Sequence, residues 1–178
     1  MAWFTLLVAL VALERLAELI VSRRNEGWSV SRGAVQVGAG HYPVMVVLHT
    51  GLLAGALCEA WLGHRTFVPA LGWPMLALLV ASQALRWWCI ATLGRQWNTR
   101  VLVVPGLPRI TRGPYRLLPH PNYLAVVIEG AALPLVHTAW ITAIAFSVLN
   151  AVLLSVRIGV ENRALGSLST DRPPAAVT

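Results

Sequence analysis

The chain alternates between long apolar segments and shorter polar ones. The apolar runs cover residues 2–21, 42–62, 69–93, 123–136 and 140–156. About 20 apolar residues are needed to cross a bilayer as a helix, so each of the first three runs predicts one membrane span. The last two runs are joined by only a few residues, which predicts a tight helical hairpin. The pattern therefore predicts an all-α integral membrane bundle of about five transmembrane helices.

Domain organisation follows from the length of the chain. One small bundle of spanning helices uses nearly all of the 178 residues, so we expect a single membrane domain over residues 1–165. Residues 166–178 (GSLSTDRPPAAVT) are polar and rich in proline, a composition typical of a disordered tail.

Composition supports a membrane location. The chain is 57% hydrophobic and 12% charged, whereas soluble domains carry about 25% charged residues. The net charge of +7 comes from arginines that flank apolar runs, which favours contact with membrane lipid and argues against a nucleic-acid partner. The two cysteines lie in separate apolar runs without further ligands at metal spacing, so we expect no metal site. Nothing in the composition indicates an oligomeric state.

The arginines also predict the orientation of the chain. Eleven of the fourteen lie in residues 23–41, in residues 94–123 or after residue 156, whereas residues 63–68 hold only Arg65. Positively charged loops stay in the cytoplasm. We therefore expect a protein of the bacterial inner membrane with its N-terminus outside and its C-terminus in the cytoplasm.

Residues 94–123, which we call the basic loop, form the longest polar stretch between apolar runs. They contain five arginines and no acidic residue, which favours an anionic ligand. Several prolines fix backbone angles there, so we expect a shaped loop that can bind a ligand without a large ordering cost. The alternative is a cytoplasmic connector whose arginines only set the topology.

Charged residues inside the apolar runs need partners. Glu14, Arg15 and Glu18 share one face of the first predicted helix, which must turn toward protein or headgroups. Glu129 lies several residues inside a later run, where an unpaired carboxylate costs about 3 kcal/mol. Asn122 precedes it by seven residues on nearly the same face, which indicates a polar seam running from the loop into the bundle.

The last run carries a polar stripe where it leaves the membrane. Asn150, Arg157 and Glu161 lie on one helical face, and the spacing of four lets Arg157 and Glu161 pair. A functional site is one interpretation of this stripe. An interfacial ion pair worth at most about 1 kcal/mol is the other.

A family resemblance rests on these same residues. GPYRLLPHPNY at residues 113–123, an apolar hairpin and RIGVENRAL at residues 157–165 follow one another in the chain. This order resembles the isoprenylcysteine carboxyl methyltransferase family of integral membrane enzymes, over roughly residues 80–165. The resemblance implies S-adenosylmethionine bound on the cytosolic side by the loop and the last helix. It also implies a lipidic or prenylated acceptor, small molecule or protein, that enters from the bilayer.

The resemblance also implies roles for individual residues. Those expected to bind the cofactor are Trp97, Arg112, Tyr115, Arg116, His120, Pro121, Asn122, Tyr123 and Glu161. Those expected to be catalytic are Arg157, Glu161 and Glu129. The chain departs from the family pattern at three positions. Pro119 replaces an arginine, Ala125 replaces a glycine, and Asn162 stands where a second glutamate is common.

Several functions stay open at this point. A carboxylate acceptor is already nucleophilic and needs only orientation, for which Arg157 is suited. A phenolic or pyrone polyketide lipid would need a general base, and His120, Glu129 and Glu161 are the candidates. Sterol-type reductases share the HPNY motif and use NADPH, but they place a glutamate where this chain has Val126. A membrane scaffold or small transporter is the alternative without catalysis.

Overall fold

The computed structural model describes residues 1–170, with side chains to residue 166, and within them the chain forms five α-helices. The helices are α1 (Ala2–Val30), α2 (His41–Leu62), α3 (Pro69–Leu93), α4 (Pro121–Leu135) and α5 (Trp140–Thr170). The predicted all-α bundle is confirmed. The tail predicted to be disordered covers residues 166–178. Residues 166–170 instead continue α5, and residues 171–178 lie outside the described residues.

The helices differ in how well they suit a bilayer. Among the described residues, three helical segments are long and apolar enough to cross a membrane: His41–Leu62, Pro69–Gln96 and Trp140–Gly166. Helix α1 is interrupted by charges, and α4 has 15 residues, so it is only about 22 Å long. Many large apolar side chains point outward, and Val47 on α2 is 72% exposed. A continuous apolar exterior of this kind suits lipid, and the chain is a membrane protein.

Helix α1 is longer than the apolar pattern predicts. The apolar run ends at residue 21, but the helix continues to Val30. Its polar residues are buried against the loop that follows α3: the Asn25 side-chain amide donates to the backbone oxygens of Gly94 and Trp97, at 3.1 and 2.7 Å. Ser22 Oγ lies 2.9 Å from Thr99 Oγ1. Because these partners are polar, a polar helical face can be buried there.

A two-stranded sheet was not predicted. Strand β1 (Val35–Val37) pairs antiparallel with β2 (Val101–Val103), with Val35 opposite Val103. Three-residue strands are too short to show a period of two in the sequence. The sheet ties the connector between α1 and α2 to the basic loop.

Charged side chains meet inside the bundle. Glu129 of α4 accepts a hydrogen bond from Arg86 of α3 and lies 3.2 Å from Arg15 of α1. Arg15 also pairs with Glu18 at 2.8 Å, and Arg86 Nε lies 3.5 Å from Glu18 Oε1. Arg86 and both carboxylates are each less than 5% exposed. The expectation that the charged face of α1 turns toward protein is confirmed, and this four-residue buried ion cluster supplies the partners of Glu129.

Single-cysteine labelling in a Cys58→Ala, Cys89→Ser background tests the predicted orientation. The arginine distribution predicts that the loop after α3 and the end of α5 lie in the cytoplasm. Arg95→Cys and Arg163→Cys should therefore react with a membrane-impermeant maleimide only after cells are permeabilised. Thr66→Cys, in the loop between α2 and α3, is the matched control and should react in intact cells. Labelling of Arg95→Cys in intact cells would show that the predicted orientation is wrong.

Candidate active site

A polar cavity of about 160 Å³ lies where the basic loop meets α4 and α5. The loop reaches it through a 3₁₀ turn at Gly113–Arg116, and α4 starts beside it. Hydrogen-bonding side chains on its wall include Arg100, Arg109, Asn98, His120, Asn122 and Glu161. The loop and the end of α5 thus come together, as their charge and motifs predicted.

The tertiary structure holds this wall in place from several directions. Arg157 of α5 donates through Nη2 to the backbone oxygen of Thr99. Arg100 pairs with Glu26 of α1 at 2.7 Å, and Asn98 Nδ2 donates to Ser29 Oγ of α1 at 3.3 Å. The loop is therefore anchored to both the first and the last helix.

Tyr123 joins the two charged residues of the α5 stripe. Arg157 Nε donates to the Tyr123 hydroxyl at 3.0 Å, and that hydroxyl donates to Glu161. Their spacing of four allowed a direct ion pair between Arg157 and Glu161, but among the described contacts the tyrosine hydroxyl lies between them. The last residue of the HPNY motif thus links the motif to the RIGVEN segment.

His120 is oriented by the same helix. Its Nε2 lies 3.1 Å from Asn162 Oδ1, and because that oxygen only accepts, Nε2 is the donor. Nδ1 lies 3.8 Å from Glu161, and the ring stacks on Tyr123 with centroids 5.4 Å apart. Asn162, a departure from the family pattern, is therefore the residue that sets the direction of this ring.

Tyr115 reaches the cavity from the 3₁₀ turn, with its hydroxyl close to the Cys89 side chain of α3. Burial disfavours the phenolate and, together with this contact, raises the pKa of Tyr115 far above its ordinary value. The residue therefore stays protonated at neutral pH and is unsuited to act as a base.

The structure brings most of the predicted site residues to the polar cavity. Those on its wall are Trp97, Tyr115, His120, Asn122, Tyr123, Arg157 and Glu161. Those that do not line it are Arg112, Arg116, Pro121 and Glu129. Arg116 is exposed because successive residues of a 3₁₀ turn point about 120° apart, and Tyr115 takes the inward direction. Arg100 and Arg109 line the cavity instead.

A larger cavity of about 320 Å³ lies beside the polar one and extends between the helices. Its wall is mostly apolar and includes Leu16 of α1, Met45 and Leu53 of α2, Val126 of α4 and Leu153 of α5. The two cavities share the residues Trp97, Asn98, Asn122, Tyr123 and Arg157. This apolar cavity was not predicted, because its wall is assembled from helices far apart in the chain.

Comparison with known proteins gives consistent matches. The model of the isoprenylcysteine carboxyl methyltransferase (ICMT) family matches residues 75–167, which include the loop, α4 and most of α5. The chain is similar to an uncharacterized protein, YpbQ, of Bacillus subtilis (strain 168), with 39% identity over 93% of this chain and 98% of the relative. An uncharacterized protein of Haemophilus influenzae is 25% identical over 94% of this chain and 98% of its own length.

Proposed function

Because the chain belongs to the isoprenylcysteine carboxyl methyltransferase family of membrane methyltransferases, we propose that it transfers a methyl group from S-adenosylmethionine to an oxygen of a lipidic acceptor. The acceptor oxygen belongs to a carboxylate, as in an isoprenylcysteine, or to the hydroxyl of a phenolic or pyrone lipid. The proposed place is the cytoplasmic side of the bacterial inner membrane, with the acceptor entering from the bilayer.

The observation that carries the proposal is the shared wall between the two cavities. Methyl transfer from a sulfonium needs donor and acceptor held in line, and such positioning can supply about 7–11 kcal/mol of the barrier. The polar cavity suits a charged, water-soluble cofactor, and the apolar cavity suits a lipid chain. Reaction would take place where they meet, beside Tyr123 and Arg157.

The donors and acceptors of the polar cavity fit S-adenosylmethionine. Arg100 and Arg109 suit its carboxylate, Glu161 suits its amino group or ribose hydroxyls, and Trp97 and Tyr115 present aromatic surface to adenine. Three buried atoms on the wall have no hydrogen-bond partner among the described residues: Trp97 Nε1, Asn98 Oδ1 and Asn122 Oδ1. Buried polar atoms of both kinds are normally satisfied, which favours a ligand with both donors and acceptors.

The bound cofactor would supply an electrophilic methyl group, so the chain has to position the reactants and exclude water. Tyr123 and Arg157 form the wall between the cavities, and the buried Trp97 borders both. Glu129 lines neither cavity and is tied to Arg15 and Arg86 in the part of the chain that the structure describes. We therefore assign Glu129 a structural role in this proposal, in place of the catalytic role expected from the family resemblance.

Ligand binding by the detergent-purified protein tests the cofactor. Calorimetry with S-adenosylmethionine, S-adenosylhomocysteine and NADPH should show binding of the first two and none of the third. NADPH is the matched control, because it also carries adenosine but lacks the amino-acid end. Preferential binding of NADPH would favour a reductase, and binding of none of the three would favour a scaffold or transporter.

The variant His120→Ala should weaken cofactor binding more than it slows the reaction at saturating cofactor. His120 lines only the polar cavity, so its contacts are made equally in the ground and transition states. Loss of such a contact raises KM and leaves kcat nearly unchanged. The comparison needs cofactor affinity by calorimetry and kcat at saturation, for wild type and variant. Unchanged affinity with a large fall in kcat would make His120 a base instead.

A further inference from the structure

The apolar cavity holds one histidine, which the sequence did not single out. His49 of α2 lines the cavity one helical turn after Met45. Met45 Sδ accepts a hydrogen bond from Arg157 Nη1. Residues four apart lie on the same face of a helix, so His49 faces the same way as Met45. Because Met45 contacts Arg157 at the junction of the two cavities, His49 lies about one turn further into the bundle from that junction.

The hydrogen bond of His49 decides its tautomer. Nδ1 lies 2.9 Å from the backbone oxygen of Met45, and because a carbonyl oxygen only accepts, Nδ1 carries the proton. The neutral ring then presents a lone pair at Nε2, and the hydrogen bond that the described residues make to this side chain is at Nδ1. Phe146 of α5 packs against the ring edge to face, with centroids 5.5 Å apart. The ring is thus oriented on two sides, and one acceptor atom is left for a ligand.

A second unpaired polar group lines the same cavity. Asn150 of α5 is 2% exposed, and its Oδ1 has no hydrogen-bond partner within the described residues. A buried amide in an apolar cavity is costly unless something satisfies it. Together with His49 it indicates a ligand that brings a hydrogen-bonding group as well as an apolar chain.

The other groups able to accept a proton are already engaged. Glu129 is held by two arginines, and Glu161 accepts from Tyr123. Glu18 Oε2 accepts from Arg15 at 2.8 Å, and Glu18 Oε1, which makes no hydrogen bond to the described residues, lies 3.5 Å from Arg86 Nε in an ion pair. His120 lines only the polar cavity. His49 Nε2 is therefore the acceptor best placed for a proton that leaves a molecule in the apolar cavity.

We propose, resting on the methyl transfer proposed above, that His49 Nε2 is the general base that takes the proton of an acceptor hydroxyl, so that the acceptor is a phenol or enol on an apolar chain. The O–H bond breaks and an N–H bond forms at Nε2. The new O–CH₃ bond forms as the carbon–sulfur bond of the sulfonium breaks, and the electron pair of that bond stays on sulfur. The imidazolium then returns its proton to solvent.

A carboxylate acceptor fits this cavity less well. It has no proton to give, and its oxygens would face the lone pair of His49 Nε2. Each of the three nitrogens of Arg157 already donates to a protein atom, namely Tyr123 Oη, Met45 Sδ and the Thr99 oxygen. The charges of Arg15 and Arg86 are balanced by Glu18 and Glu129. The cavity therefore favours an acceptor that enters uncharged.

The test compares wild type, His49→Gln and His41→Gln in nanodiscs with S-adenosylmethionine and two probes, a long-chain para-alkylphenol and a fatty acid of equal chain length. His41, at the start of the same helix, is the matched control. We expect wild type and His41→Gln to methylate the alkylphenol, and His49→Gln to lose at least about 100-fold in kcat. Cofactor affinity, measured by calorimetry, should be the same in all three.

The pH dependence separates a base from a structural residue. The neutral imidazole is the active form, so the wild-type rate should fall as the pH is lowered through its titration, and His49→Gln should lack this dependence. The charged groups near His49 are Arg15, Glu18, Arg86 and Arg157, which line the same cavity, and Glu129, which does not line it but acts on the ring electrostatically. All five are retained in His49→Gln. A fall in rate at low pH that persists in this variant would therefore arise from these groups and would overturn the proposal.

The binding step has its own readout. In protein with ¹⁵N-labelled histidine, the alkylphenol should shift the Nε2 resonance that is missing in His49→Gln. An unshifted resonance, alkylphenol turnover by His49→Gln within about threefold of wild type, or methylation of the fatty acid alone would each overturn the role of His49. If wild type binds no S-adenosylmethionine, the proposed function itself is wrong. If wild type binds the cofactor normally but His49→Gln methylates the alkylphenol as fast as wild type, only the role of His49 is wrong.

Discussion

The variant Arg157→Ala should lose at least about 100-fold in kcat/KM while the bundle stays folded. Arg157 contacts Tyr123, Thr99 and Met45 at once, and so joins α4, the basic loop and α2 at the wall between the two cavities. Without it, these three groups lose the common donor that sets their positions. A misplacement of about 1 Å at a reacting centre can cost about 100-fold in rate.

The experiment measures methyl transfer and thermal unfolding for three variants. Arg157→Lys should be nearly as inactive as Arg157→Ala, because an ammonium cannot reproduce three donors in a planar arrangement. Arg163→Ala is the matched control, since Arg163 is exposed on the same helix and bonds only the Gly159 oxygen among the described contacts. It should keep full activity. If Arg157→Ala keeps activity within about threefold of wild type, Arg157 is only an interfacial charge with no role in the reaction.

The variant Glu129→Leu should lower the free energy of unfolding by about 3–5 kcal/mol, more than the loss of an exposed carboxylate such as Glu26. Glu129 is 2% exposed and is, with Glu18, one of two carboxylates that Arg15 and Arg86 share. Glu129→Leu keeps a side chain of similar size but leaves two buried guanidinium groups with Glu18 as the main opposing charge. Because an uncompensated buried charge is poorly solvated, the folded state should lose most of this energy.

Unfolding in detergent, followed by loss of helical circular dichroism, measures this effect. Glu26→Ala is the matched control, because it also removes a carboxylate from an arginine. The Glu26–Arg100 pair is about one-third exposed, so the loss there should be at most about 1 kcal/mol. The triple variant Arg15→Met, Arg86→Met, Glu129→Leu should recover part of the stability lost by Glu129→Leu. Equal midpoints for Glu129→Leu and Glu26→Ala would contradict an energetic role for the buried ion cluster.

The sequence by itself determined the class of fold, the helical elements and the location of the polar cavity. Apolar runs of bilayer length permit little besides helices, because a lipid-exposed backbone must satisfy its own hydrogen bonds. The motif residues His120 and Tyr123 and the stripe residues Arg157 and Glu161 all reached one cavity. Helical periodicity reports which side chains share a face, and here it was sufficient to predict that they would meet.

Only the tertiary structure decided which atoms contact each other between elements distant in the chain. It placed the Tyr123 hydroxyl between Arg157 and Glu161, supplied Arg86 as the partner of Glu129, and turned His49 into the apolar cavity. It also continued α1 beyond its apolar run, because the polar side of that helix found partners in the loop after α3. Sequence periodicity names a face but not the neighbour that covers it. These contacts therefore required the packed bundle.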